Sequence, residues 1–203
     1  MKQSCTVLSV LIMTLSLLSG VGLAQESNKT DEPTVKQMTV PAVELTYQEQ
    51  GQGDTVVFVH GAFADHRIWK AQREAVVAQG YRSIAVDLRY HGKAAWPEDE
   101  AAAASQYALA TFVSDLAALI QQLGIGPVHV VGHSSGGVVV TNFALQYPHL
   151  VRSLVLVEPA LASVVSDPKD LKTMSKIEEG IGPIFVASQE ENDQRKAVRL
   201  FAE

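Results

Sequence analysis

The chain has 203 residues, 47% hydrophobic and 19% charged, with 16 basic against 22 acidic side chains and a net charge of −6. That length suits one domain with a full apolar core, and the composition excludes a disordered chain. An acidic balance with no basic patch excludes a nucleic-acid partner.

Residues 1–24 read as a signal peptide. Lys2 gives a positive start, Cys5 to Leu18 is largely apolar, and Gly22-Leu23-Ala24 puts small residues where a signal peptidase cuts, so cleavage is expected after Ala24. The alternative is an uncleaved anchor, because the apolar run falls only slightly short of the roughly 20 residues that span a bilayer. Ser9, Thr14, Ser16, Ser19 and two glycines weaken that alternative. The single cysteine, Cys5, lies in the segment expected to be lost, at its start and not at its end, where a lipoprotein would need it. The mature protein is therefore expected to be secreted or periplasmic, without thiols or disulfides and without a membrane attachment.

Residues 25–40 are polar up to Met38 and show no apolar period, which predicts a flexible leader. From Pro41 the alternation of Val43, Leu45 and Tyr47 predicts a half-buried strand, and Gly51-Gln52-Gly53-Asp54 closes it as a turn. Thr55 to Val59 is continuously apolar, as a strand covered on both faces should be, and ends at His60-Gly61-Ala62-Phe63. Asp65 caps a predicted helix that runs to about Gln79, with Gly80 as its stop. A third strand, Tyr81 to Val86, leads into Asp87-Leu88-Arg89-Tyr90-His91-Gly92. After a loop, Ser105 to Leu123 carries apolar residues at helical spacing. Alternating strands and helices of this kind predict an α/β fold with a mostly parallel sheet flanked by helices.

The most informative stretch is Pro127 to Asn142, where a β-branched run ends in Gly132-His133-Ser134-Ser135-Gly136 and a helical apolar run follows at once. A serine at the apex of a strand-to-helix turn needs small residues two positions away on each side, so that strand and helix can pass closely. Ser134 has Gly132 and Gly136 at those positions, whereas Ser135 would have His133 and Gly137. Ser134 is the candidate nucleophile. The following helix is expected to end near Tyr147-Pro148, with another apolar strand from Val151 to Val157.

With these motifs in place, His60-Gly61, then Asp87-Leu88-Arg89-x-His91-Gly92, then Gly132-x-Ser134-x-Gly136, the chain resembles the α/β-hydrolase superfamily over residues 41–160. The resemblance implies that Ser134 attacks a carbonyl and that backbone N–H groups of Ala62 and Ser135 hold the oxyanion. It implies an ester, thioester, lactone or amide as small-molecule substrate, with no cofactor and no metal. It also sets the chain apart from members with an aspartate nucleophile, such as epoxide hydrolases and haloalkane dehalogenases. Tyr90 departs from the family pattern, which usually has Gly there. By the same analogy His60 shapes the oxyanion loop, and His133 is expected to face neighbouring helices. Asp87 is expected to tie down the loop that follows it. Glu158, at the end of the strand after the elbow helix, is either structural or the acid that orients a catalytic histidine.

Triad order in this superfamily is Ser, acid, His, yet the only histidine after Ser134 is His149, expected at the far edge of the sheet. Residues 161–203 read as the start of a lid, and the further strands of the family have no counterpart in the sequence. These features lead to the expectation of a C-terminally incomplete serine hydrolase, with a catalytically silent binding or vestigial protein of the same fold as the alternative.

Overall fold

The computed structural model describes residues 32–41, 43–94 and 106–160. The expected signal peptide and lid lie outside the described residues, as does the first part of the expected leader. Among the described residues no helix is long and apolar enough to cross a membrane.

The strands are β1 (Thr34–Val40), β2 (Val43–Gln50), β3 (Thr55–Val59), β4 (Arg82–Val86), β5 (Val128–His133) and β6 (Val151–Val157). The helices are α1 (Lys70–Ala78), α2 (Leu109–Gln122) and α3 (Ser135–Gln146), with short 3₁₀ turns at His66–Trp69 and Pro148–Leu150. One sheet runs β1-β2-β4-β3-β5-β6. The first two strands pair antiparallel with each other and β2 pairs antiparallel with β4, while β4, β3, β5 and β6 are mutually parallel. The mostly parallel α/β sheet expected from the sequence is therefore present.

Every residue of β3 is buried because alternate side chains meet a different layer. Val57 and Val59 join Ile84, Val86, Val128 and Val130 in a large core with Leu116, Leu119 and Ile120 of α2 and Val139, Val140 and Phe143 of α3. Val56, Phe58 and Ala85 point the other way and pack with Trp69. Two apolar faces on one strand give the unbroken apolar run that the sequence displays.

One expectation needs correction. Residues 34–40 of the expected flexible leader form β1, paired with β2 along its whole length. Its side chains are mostly exposed and only Val40 is buried, so backbone pairing and the Lys36–Glu49 ion pair at 2.7 Å hold it without an apolar period. The helix expected after Asp65 also begins differently. Asp65 accepts from the Arg67 N–H at 2.9 Å and caps the 3₁₀ turn, and α1 follows only from Lys70.

The loop leaving β3 leads to the Trp69 side of the sheet, whereas the loops leaving β4 and β5 lead to α2 and α3 on the other side. The chain ends of β3 and β5 thus diverge at a switch point, where open α/β sheets form their crevice.

Candidate active site

At the carboxyl end of β5 the backbone turns sharply into α3, with Ser134 at φ 51° and ψ −121°. Such a conformation costs on the order of 1–3 kcal/mol in a non-glycine residue and persists only where its surroundings impose it. Here they do. The Ser134 N–H donates to the Val157 carbonyl at the end of β6 at 3.0 Å, and the Ser134 carbonyl accepts from Gly137 N–H at 2.9 Å. A side chain on Gly136 would run into the carbonyls of His60 and Val59, and one on Gly132 into Val140 and the Gly136 carbonyl. The two glycines are what allow strand, helix and β3 to meet.

The loop leaving β3 is pinned at both ends. His60, fully buried, accepts the Leu88 N–H at its Nε2 (3.0 Å), which leaves its proton on Nδ1 to donate to the Gly61 carbonyl at 2.7 Å. Six residues on, His66 donates its backbone N–H to Asp87 Oδ1 at 2.6 Å and lies 2.8 and 3.0 Å from the two Asp87 oxygens through Nδ1. Asp87, expected to hold the loop after it, holds the earlier loop as well, while the backbone of Gly92 packs against its carboxylate. Between the pins, Gly61 is pressed so close to the elbow that a Cβ on it would stand 3.0 Å from Ser134 Cβ. Gly61 and Ser134 are thereby brought together, with Ala62 and Ser135 next to them in the chain. Among the described residues neither the Ala62 nor the Ser135 N–H donates a hydrogen bond. Ser135 opens α3, where the first backbone donors have no helical acceptor.

The non-glycine residues with positive φ among the described residues are Phe63 (59°), Tyr90 (62°), Ser134 (51°) and Glu158 (43°), one after each of β3, β4, β5 and β6. Strain is concentrated along one edge of the sheet. Tyr90 takes the left-handed backbone that glycine in relatives would adopt freely, and its hydroxyl donates to Gln106 Oε1 at 2.9 Å. Glu158 is exposed, and its neighbours anchor it to the elbow: Val157 accepts from Ser134, and Pro159 lies against Gly137.

All six histidines lie among the described residues, and none forms a hydrogen bond with Ser134 Oγ. His91 is buried, with Nδ1 donating to the Arg89 carbonyl at 2.9 Å and Nε2 3.4 Å from the Tyr107 hydroxyl. His129 pairs with Ser153 Oγ at 2.7 Å. His133 turns its ring edge-on to Trp69, 6.5 Å between centroids, and its buried Nδ1 has no partner among the described residues. His149 sits in the 3₁₀ turn before β6, at the end of the sheet opposite Ser134.

Burial, and then the neighbouring His91, lower the pKa of His60 from 6.5 to about 4. Between those values the unfolded chain holds a proton that the folded chain does not, so stability falls as pH falls. A urea series from pH 7.5 to 4 should show a loss of about 3 kcal/mol from His60 alone. His91, lowered by burial as well, adds to the loss. A flat profile across this window would contradict the buried neutral pair.

Asp65, His66 and Asp87 offer three ligand atoms within 4.8 Å of one another, a spacing that could hold a metal ion. Their donors already have other work. Arg67 engages both oxygens of Asp65 at 2.6–2.9 Å and His66 engages Asp87, so the cluster acts as a clamp on the loop. The His66–Asp87 contact escaped sequence reasoning because it joins residues 21 apart through the pairing of β3 with β4.

A family model described as "alpha/beta hydrolase fold" matches residues 54–199. The chain is 32% identical over 114 residues to bifunctional epoxide hydrolase 2 of Sus scrofa, covering 56% of this chain and 20% of that protein. It is 40% identical over 99 residues to the non-heme chloroperoxidase CPO-A1 of Kitasatospora aureofaciens, covering 49% and 34%. Among solved structures, epoxide hydrolase VrEH1 from Vigna radiata aligns with a TM-score of 0.57 at 32% identity, covering 62% of this chain and 38% of that one. The chain thus spans about a fifth to two fifths of the length of these relatives.

Proposed function

The chain belongs to the α/β-hydrolase fold family, and from that premise we propose that it is an exported serine hydrolase acting on an ester, thioester, lactone or amide. One observation carries the reading: Ser134 stands at a strained strand-to-helix turn against Gly61, and the backbone N–H groups of the adjoining Ala62 and Ser135 donate to nothing among the described residues. The Ser134 hydroxyl attacks the substrate carbonyl, and the negative charge that develops on its oxygen falls between donors already fixed in direction. Each donor of this kind is worth roughly 3 kcal/mol of barrier. Glu158 is suited to orienting an imidazole, standing between Val157 and Pro159, which both touch the elbow.

Two of the relatives are named epoxide hydrolases, yet a serine is the wrong nucleophile for that reaction. A carboxylate opening an epoxide leaves an ester, which water can cleave; a serine hydroxyl would leave an ether, which has no carbonyl for water to attack. Ser134 therefore favours acyl substrates.

A second reading, a catalytically silent protein of the same fold, is favoured by the histidines, none of which is hydrogen-bonded to Ser134. Without a base a serine hydroxyl is a weak nucleophile, and loss of a triad member commonly costs at least about a thousandfold in rate. Steady turnover of p-nitrophenyl acetate by this chain is accordingly expected to be slow. A fluorophosphonate probe separates the readings, because a single covalent event suffices. Labelling is expected in the wild type and in Ser135→Ala and should vanish in Ser134→Ala. Labelling that follows Ser135 instead would refute the register, and no labelling at all would decide for the silent protein.

A further inference from the structure

On the Trp69 side of the sheet, α1 carries a charge where its pattern calls for an apolar residue. Trp69 and Val76 pack on Val56, Phe58 and Ala85, which marks the sheet-facing stripe of the helix, and Arg73 falls between them on that stripe at helical spacing. It is only 3% exposed. Its Nη1 donates to the side-chain oxygen of Gln48, which pairs across the sheet with Ala85. That acceptor is neutral. Nε and Nη2, the other edge of the guanidinium, have no hydrogen-bond partner among the described residues, and neither has Trp69 Nε1. Buried polar groups are nearly always partnered, and a buried charge is costly without an opposite one. Arg89 supplies the comparison within the same molecule. Equally buried, it presents that same edge, Nε and Nη2, to the two oxygens of Asp115 at 2.9 and 2.8 Å. Hydrogen bonding to Asp115 raises the Arg89 pKa, whereas burial lowers that of Arg73.

We propose that the Nε and Nη2 edge of Arg73, with Trp69 Nε1 four residues earlier on the same stripe, is a binding site for a small free carboxylate. The class follows from the edge: its parallel, coplanar N–H groups match the two oxygens of a carboxylate, as Asp115 shows at Arg89. Each carboxylate oxygen has a second lone pair, so the indole N–H can be taken as well. Chloride is a single centre and meets the edge less well. Gln48 is half-buried and pairs on its other side with Val35, which is 56% exposed, so solvent borders the cluster there. The site is independent of Ser134.

Urea unfolding at neutral pH, with sodium acetate replacing sodium chloride at constant ionic strength, tests this. A ligand held by the folded chain alone raises the midpoint as its occupancy rises. The wild-type midpoint is expected to climb with acetate, and that of Arg73→Met to show no acetate-dependent rise. In chloride Arg73→Met should be as stable as the wild type or more so, since it buries no charge without a partner, and in acetate the order should reverse. Arg73→Lys keeps the charge without the paired edge and should lose the preference for acetate over chloride. Trp69→Phe keeps a ring and loses the N–H, and should weaken acetate binding about tenfold, the usual worth of one hydrogen bond to a charged group. Acetate should also move an arginine Nε–H and an indole N–H resonance of the wild type in nitrogen-15 NMR, a readout that needs no variant to fold. A wild-type midpoint that does not change when acetate replaces chloride, or a rise that survives in Arg73→Met, overturns the site. A rise as large with sodium phosphate as with acetate overturns the carboxylate assignment.

Discussion

Replacing Gly136 by alanine should abolish fluorophosphonate labelling of Ser134 and cost about 3 kcal/mol of stability, the upper end for an added methyl in a packed interior. The added carbon would meet the carbonyl oxygens of His60 and Val59, which are backbone atoms at the end of a strand paired on both sides. A flexible side chain could move away; these cannot. The start of α3 would have to retreat from the sheet, taking the Ser135 N–H and the strained Ser134 backbone out of position. Gly124→Ala is the informative comparison. Gly124 has φ +63° but nothing within 4 Å of the place a methyl group would take, so only backbone strain applies. That strain is worth roughly 1–2 kcal/mol. Chemical denaturation of both variants, with labelling measured on the folded fraction, checks the pair. Normal labelling in Gly136→Ala would mean that close approach of strand and helix is not what presents the serine.

The elbow was legible because its requirement is local: glycine at two fixed offsets from one serine is a steric condition written within five residues. Burial of β3 on both faces was legible for a similar reason, since four successive apolar residues after Thr55 leave no polar face. β1 was not, because a strand held by backbone pairing at the rim of a sheet needs no apolar period, and Val35 remains 56% exposed. Contacts that join separate loops were equally hidden. His66 meets Asp87, and His60 meets Leu88, only because β3 and β4 run parallel in a register that brings their carboxyl ends level. Tyr90 falls between these cases. Its departure from the family's glycine is visible in the sequence, but the left-handed backbone and the bond to Gln106 that accompany it appear only in the fold. Backbone strain at Phe63 has no sequence signature at all, since phenylalanine gives no hint of a positive φ.

Asp115→Leu should be among the most destabilising changes away from the elbow, at about 3–5 kcal/mol, the usual loss when one partner of a buried ion pair is removed. Arg89 donates from Nε and Nη2 to the two oxygens of Asp115 at 2.9 and 2.8 Å, and the side chains are only 3% and 4% exposed. Hydrogen bonding to Asp115 is the main reason the Arg89 pKa is raised. With the carboxylate gone, the guanidinium keeps Gln106 at 2.7 Å and a long contact to the Pro41 carbonyl at 3.4 Å, neither of which carries a compensating charge. Against a domain stability of about 5–15 kcal/mol such a loss removes about a fifth or more. The double variant Arg89→Met with Asp115→Leu should recover most of it, because an apolar pair of similar volume leaves no buried charge. The site should register the single change too. Arg89 directly follows Leu88, whose N–H fixes His60 and through it the loop bearing Ala62, so fluorophosphonate labelling of folded Asp115→Leu should slow while that of the double variant returns toward the wild-type rate. Urea midpoints for the three proteins, read beside their labelling rates, check both parts. If the single variant were as stable as the double, the ion pair would be carrying no charge that needs its partner, and the link from α2 to the loop bearing Ala62 would fail with it.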